Sequence, residues 1–157
     1  MAPVVSIALS VGVAGLGLYL LRLCRQRSWG YCGCQTRLDG KVVLITGGNT
    51  GLGRHAALRL AAQGATIVLA CRDMAKAHAV AEEIRQRNAR AIIPVKAVGG
   101  DAVHCLPLDL GSLQSVRQFA GDVNARFAKL DSVVCNAGIW VPMERQMQTR
   151  DGIEAHV

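Results

Sequence analysis

Residues 41–53 read KVVLITGGNTGLG. An apolar run of strand length passes through four glycines in eight residues into a helix-forming segment. Glycine is costly to order, so such a cluster marks a backbone path that side chains would obstruct. A strand, a glycine-rich turn and a helix in that order expose the first N–H groups of the helix. Those groups and the helix dipole suit an anion, above all a pyrophosphate. Gly51 and Gly53 are expected to allow close approach of the ligand and close packing of helix on strand.

The pattern continues beyond the turn. Leu52–Gln63 reads as a helix with Leu52, Ala56, Leu60 and Ala61 on its inner face, stopped by Gly64. Ala65–Cys71 is a second buried strand. Met74–Arg87 is a second helix, with Met74, Ala77 and Ala81 inward. Residues 88–102 read as a surface insertion, because Pro94 interrupts the strand-like Ala91–Val95. Val103–Leu108 is a third strand. Ser112 caps a helix carrying Leu113, Val116, Phe119, Ala120, Val123 and Phe127. Asp131–Cys135 is a fourth strand. Strands alternating with helices imply right-handed βαβ units and a parallel sheet.

The 157 residues allow about one domain with a real core. The net charge of +7 is concentrated at the start. Arg22, Arg25, Arg27, Arg37 and Lys41 face one acid, Asp39, in the first 41 residues. No basic cluster interleaved with aromatics follows, so nucleic acid is not an expected partner. Val4–Leu21 is an uncharged apolar run that would span about 27 Å as a helix, close to a bilayer core. The basic residues behind it, in place of a small-residue cleavage site, favour a membrane anchor over a signal peptide and place the body in the cytosol. The domains expected are an anchor at 1–21, a basic linker at 22–40 and a nucleotide-binding domain at 41–157. Trp29 and Tyr31 could sit at the membrane interface or pack within the linker. Cys71, Cys105 and Cys135 read as small buried thiols in strands. Cys24 reads as an idle thiol, and Cys32-Gly33-Cys34 lacks the paired ligands of a zinc site, so no metal is expected.

Thr46-Gly47, Gly51 and Gly53 give TGxxxGxG, and this spacing resembles the short-chain dehydrogenase/reductase family from Lys41 to Val157. Within it the chain looks most like membrane-anchored retinol dehydrogenase-like members, on LITGGNTGLG, VLACRD, the LDL-x-SLQSVR stretch, NAGI, and Thr149, Asp151, Gly152 and Glu154. The departures are Gly48 in place of a usual Ala, Cys135 where Asn is common, and a long 88–102 segment. The resemblance implies the N-terminal part of a Rossmann-type doubly wound α/β sheet, about four parallel strands preceded by one transmembrane helix. It implies cofactor binding by Gly47, Asn49, Gly51, Leu52 and Gly53. Asp109 and Leu110 would lie near the adenine ring, and Asn136, Ala137 and Gly138 would brace the sheet beside the cofactor. Arg72 ends the second strand where an NAD-preferring site would carry an acid, so NADP(H) is expected over NAD(H). Asp73 is read as the cap of the next helix, and Arg54 as a solvated helix position.

The family transfers the substrate proton with a Tyr-x-x-x-Lys pair and a Ser. Here Tyr19 and Tyr31 both precede the domain, and no Ser follows Asn136. No catalytic residue is therefore assigned within the chain, whose pattern reads as helical at Ile153–Val157. The resemblance implies the cofactor-binding part of an oxidoreductase acting on a lipophilic alcohol or carbonyl, retinoid- or steroid-like, at the endoplasmic reticulum. The other reading is an inactive, membrane-tethered NADP-binding or interaction module. An apolar fourth strand left at a sheet edge predicts that residues 40–157 alone fold poorly or oligomerise and bind NADP(H) weakly.

Overall fold

The computed structural model describes residues 15–25, 36–90, 101–139 and 147–154. Two compact units are present, residues 1–35 and 36–157. In the first, residues 15–25 are helical (α1), and Leu16, Leu18, Tyr19 and Leu21 on it are exposed. Among the described residues no helix is long and apolar enough to cross a membrane. Most of the expected span, its residues 4–14, lies outside the described residues, as do Trp29, Tyr31, Cys32, Cys34 and residues 91–100.

The second unit alternates strands and helices: β1 (Val42–Thr46), α2 (Gly51–Ala62), β2 (Thr66–Cys71), α3 (Met74–Ala89), β3 (Val103–Pro107), α4 (Leu113–Arg126) and β4 (Ser132–Val134). The four strands are parallel in the order β3-β2-β1-β4. Every residue of β1 and β2 is buried. Helices cover both faces of the sheet, so these strands are apolar throughout instead of alternating. Val43, Ile45, Ile67, Leu69 and Val103 pack with Ala57, Ala77, Val80 and Ile84 of α2 and α3. Val42, Leu44, Val68, Ala70 and Leu106 pack with Phe119 and Val123 of α4 and with Phe127. Each such large side chain contributes about 1.5–3 kcal/mol on burial.

Two helix faces differ from the sequence reading. The inward residues of α2 are Gly53, Ala57, Leu58 and Ala61. Leu52 points outward at 84% exposure, while Ala56 and Leu60 only flank the core. The reason is steric. Gly53, Ala57 and Ala61 recur every fourth residue, and this strip of small side chains lets the helix approach closely. In α4 Phe119 and Val123 are buried, whereas Leu113 is exposed and Ala120 faces outward. The expected caps are present. Asp73 accepts from the Lys76 N–H at 3.0 Å and Ser112 from the Ser115 N–H at 3.4 Å. Gly64, at φ +100°, ends α2 in the left-handed conformation that favours glycine.

β4 pairs with β1 and with no other described strand. Ser132 and Val133 are exposed, and so is Cys135, which is not the buried thiol expected from its apolar surroundings. Among the described residues no strand pairs with the outer side of β4, which accounts for this. Asp131 anchors the start of β4. Its carboxylate accepts from the Val42 N–H at 2.9 Å, from Lys41 Nζ at 3.0 Å and from Lys129 Nζ at 3.1 Å. These donors, the Val42 N–H foremost, hold its pKa far below the ordinary carboxylate value. A depressed folded pKa stabilises the fold above the unfolded value and ceases to do so as the pH falls. The denaturation midpoint is expected to fall from about pH 4 downward, and Asp131→Asn should flatten that slope. An acid titration with an unchanged slope in the variant would refute this role.

Candidate cofactor-binding site

Parallel strands deliver their loops to one edge of the sheet. Thr46 lies opposite Ala70, Ala70 opposite Leu106, and Ile45 opposite Val134. The glycine turn, Arg72, Asp109 and Asn136 all follow at this carboxyl edge. Successive connections run outward from β1 to β2 to β3 and then return to the other side of β1. The crevice between β1 and β4 is thus a topological switch point, where open α/β sheets bind ligands.

Gly47 leaves β1 at φ +65°, and its N–H donates to the Ala70 carbonyl at 2.9 Å. A Cβ on Gly47 would stand 2.9 Å from Ala137 Cα. One on Gly48 would stand 2.6 Å from Leu69 Cδ2, so the Ala usual in the family would require Leu69 to shift. Thr50 precedes α2 in an extended conformation, with no side-chain cap and no acid in the first turn. The first N–H groups of the helix are thereby left to an outside acceptor. Gly51 has φ +53° and nothing within 4 Å of where its side chain would be. That open space leaves room for a ligand. The residues therefore fit a bound pyrophosphate.

Gly53 serves packing, against the turn and not against the sheet. A Cβ there would collide with Asn136 Nδ2 and stand 2.6 Å from the Gly47 carbonyl oxygen. Asn136 Nδ2 donates to the carbonyls of Thr46 at 3.0 Å and Gly47 at 3.2 Å. The Asn136 and Ala137 N–H groups both donate to Thr46 Oγ1, at 3.1 and 3.0 Å. Thr46 Oγ1 donates in turn to the Val134 carbonyl at 3.4 Å. Asn136 thus ties the glycine turn to the loop after β4, and Thr46, 7% exposed, is its counterpart. Thr46 is not among the cofactor-binding residues expected from the sequence. The available signal was a hydroxyl at the last position of a buried strand, directly before the first glycine.

Residues 41–157 match the short chain dehydrogenase family. The chain belongs to this family. It is 36% identical to retinol dehydrogenase 11 of Mus musculus, over 89% of this chain and 41% of that protein. It is 38% identical to human retinol dehydrogenase 13, over 70% of this chain and 30% of that one. The chain therefore spans less than half the length of these curated relatives. Among solved structures, an Escherichia coli oxidoreductase superposes with a TM-score of 0.59 at 30% identity, covering 74% of this chain and 46% of that one. The Pseudomonas aeruginosa RhlG/NADP active-site complex superposes with a TM-score of 0.55 at 28% identity, covering 67% and 37%.

The remaining expected residues sit around the same edge. Arg72 is exposed directly after β2. The Asp73 carboxylate is committed to α3, pairing with Lys76 Nζ at 3.0 Å besides capping the helix. The Lys76 N–H holds its pKa below the ordinary range. Asp109 Oδ1 accepts from the Gly111 N–H and the Asp109 N–H donates to Ser115 Oγ, both at 3.0 Å. Leu110 is half exposed and Gly138 exposed, while Asn49 is half-buried in the turn. Arg54 is not simply solvated: it pairs with Glu83 of α3 at 2.5 Å, which fixes α2 to α3. Cys71 lies buried behind the turn. Burial pushes its thiol up, and the nearby N–H groups of Gly48, Asn49 and Gly47 only partly offset this, so it is an unreactive packing group. Among the described residues no three His, Cys, Asp or Glu side chains are grouped to hold a metal.

Proposed function

We propose that this chain is the NADP(H)-binding part of an oxidoreductase acting on a lipophilic alcohol or carbonyl of retinoid or steroid type. The observation that carries the reading is the glycine turn, pinned by Asn136 beneath a helix start free of acids and side-chain caps. The nicotinamide group, when bound, supplies the hydride chemistry. The chain's own residues bind and orient. Gly51 leaves space for the pyrophosphate, the α2 N–H groups face it, and Asn136 and Thr46 hold the turn rigid. Arg72 supplies the guanidinium fork for a 2′-phosphate, while Asp73, tied to Lys76, is withdrawn from the ribose hydroxyls. The retinol dehydrogenase likeness supports the lipophilic substrate.

The reading extends to location and assembly. The exposed leucines of α1, together with Arg22 and Arg25, support a membrane anchor, with the body in the cytosol at the endoplasmic reticulum. The outer edge of β4, which no described strand pairs, supports self-association. The only tyrosines, Tyr19 and Tyr31, precede the sheet, so the 157 residues alone are proposed to hold cofactor without turning over substrate. That same observation favours the second reading, an NADP-binding module without catalysis.

Fluorescence titration with NADPH and NADH tests the cofactor assignment. The chain should prefer NADPH, and Arg72→Ala should weaken NADPH about tenfold, the equivalent of one charge-assisted hydrogen bond, while leaving NADH unchanged. Equal affinity for both cofactors in the unsubstituted chain would overturn it.

A further inference from the structure

The chain beyond the β4 loop returns to the loop after β3. Residues 148–154 form a tight hairpin, with Gln148 bridged to Glu154. The Thr149 N–H donates to the Ile153 carbonyl at 2.7 Å, and the Ile153 N–H to Thr149 Oγ1 at 3.1 Å. Gly152 turns the tip at φ +74°. The hairpin presents Asp151, whose Oδ2 accepts from the Leu113 N–H at 2.5 Å across 38 residues of sequence. Leu113 opens α4, where Ser112 already caps the Ser115 N–H. Asp151 therefore adds a second, distant acceptor at the positive end of that helix. Thr149 Cγ2 also lies 3.8 Å from where a Gly111 side chain would begin, and the Gly111 N–H is held by Asp109. Next to Leu113, the Ser112 N–H donates to the Asp109 carbonyl at 3.2 Å, so bonded neighbours run from the hairpin to Asp109. The caps of α3 and α4 supplied by Asp73 and Ser112 are local, so this long-range one has a different consequence.

We infer that Asp151 is a positioning residue: it latches the Asp109–Ser112 loop, and with it the adenine end of the cofactor site, to the 148–154 hairpin. The inference rests on the proposed cofactor reading. The latch makes adenine affinity depend on a segment that touches neither Gly47 nor Gly51. The pyrophosphate cradle, held by Asn136 and Thr46, is independent of it. Two loops of the carboxyl edge are therefore positioned separately.

The full chain is compared with Asp151→Ala and Asp151→Ser, using 2′,5′-ADP for the adenine end, inorganic pyrophosphate for the cradle, and amide hydrogen exchange. Asp151→Ala should speed exchange at Leu113 and weaken 2′,5′-ADP about fivefold, the size of a lost helix cap, with pyrophosphate binding unchanged. Asp151→Ser should restore part of both losses. Unchanged exchange at Leu113, or parallel loss of both ligands, overturns the latch. If the unsubstituted chain binds neither probe, the cofactor reading fails, and exchange at Leu113 alone decides the latch.

Discussion

Gly53→Ala is expected to eliminate measurable NADP(H) binding and to destabilise the chain by about 3 kcal/mol, as overpacking of a tight interior contact does. The helical backbone at this position accepts alanine, so the effect comes from what the methyl meets. It meets the Asn136 amide and, at 2.6 Å, the Gly47 carbonyl oxygen. Neither can retreat without losing the bonds that hold the turn. Gly51→Ala separates the contributions. Its φ of +53° costs an alanine about 1–2 kcal/mol, yet nothing lies within 4 Å of the added methyl. That variant should fold and still bind weakly, because the methyl enters space meant for the pyrophosphate. Calorimetric titration beside a thermal melt checks both. A folded Gly53→Ala chain with normal affinity would refute the account of the turn.

Thr46→Val should cost about 1–3 kcal/mol, because the Ala137 N–H loses its acceptor while the Asn136 N–H keeps only the Val134 carbonyl, at 3.0 Å. The valine fills the same volume, so packing is preserved and the loss is specific to the hydroxyl. The Asn136 and Ala137 N–H groups are its donors, at 3.1 and 3.0 Å. Urea denaturation should show a lower midpoint with an unchanged m-value. NADPH affinity should fall with it, and Thr46→Ser should recover most of both. A Thr46→Ser variant as impaired as the valine would show that the methyl, not the hydroxyl, matters.

Much of the fold was legible because the sheet is parallel and covered on both faces. VVLIT and TIVLAC are unbroken apolar runs, and they are the two most buried strands. Asp73 and Ser112 stood at helix starts as short polar side chains, and both cap. The phase of α2 was not legible, since a contact made by a missing side chain leaves no apolar signal. Leu52 looked like a core residue and is exposed because Gly53 must face the turn. The glycines and Asn136 were legible as a site, but Thr46 was hidden by its ordinary fitness for a strand. The Ile153–Val157 stretch read as helix. Ile153 and Glu154 instead close a hairpin whose purpose depends on Leu113, 38 residues from Asp151. Residues 155–157 lie outside the described residues.

The central position of β1 has a consequence in time. Its neighbour β2 follows within one helix, so the first βαβ unit can assemble from local sequence. Its other neighbour, β4, emerges almost ninety residues later; Asp131, at its start, bonds Val42 across 89 positions. At about 5–20 residues per second, ribosomal synthesis leaves several seconds between the two. Throughout that interval the nascent glycine turn has no Asn136 to pin it. Pinning of the turn thus waits for the loop after β4, and until Asn136 has been made the growing chain has no braced cradle in which a nucleotide could act as a folding template.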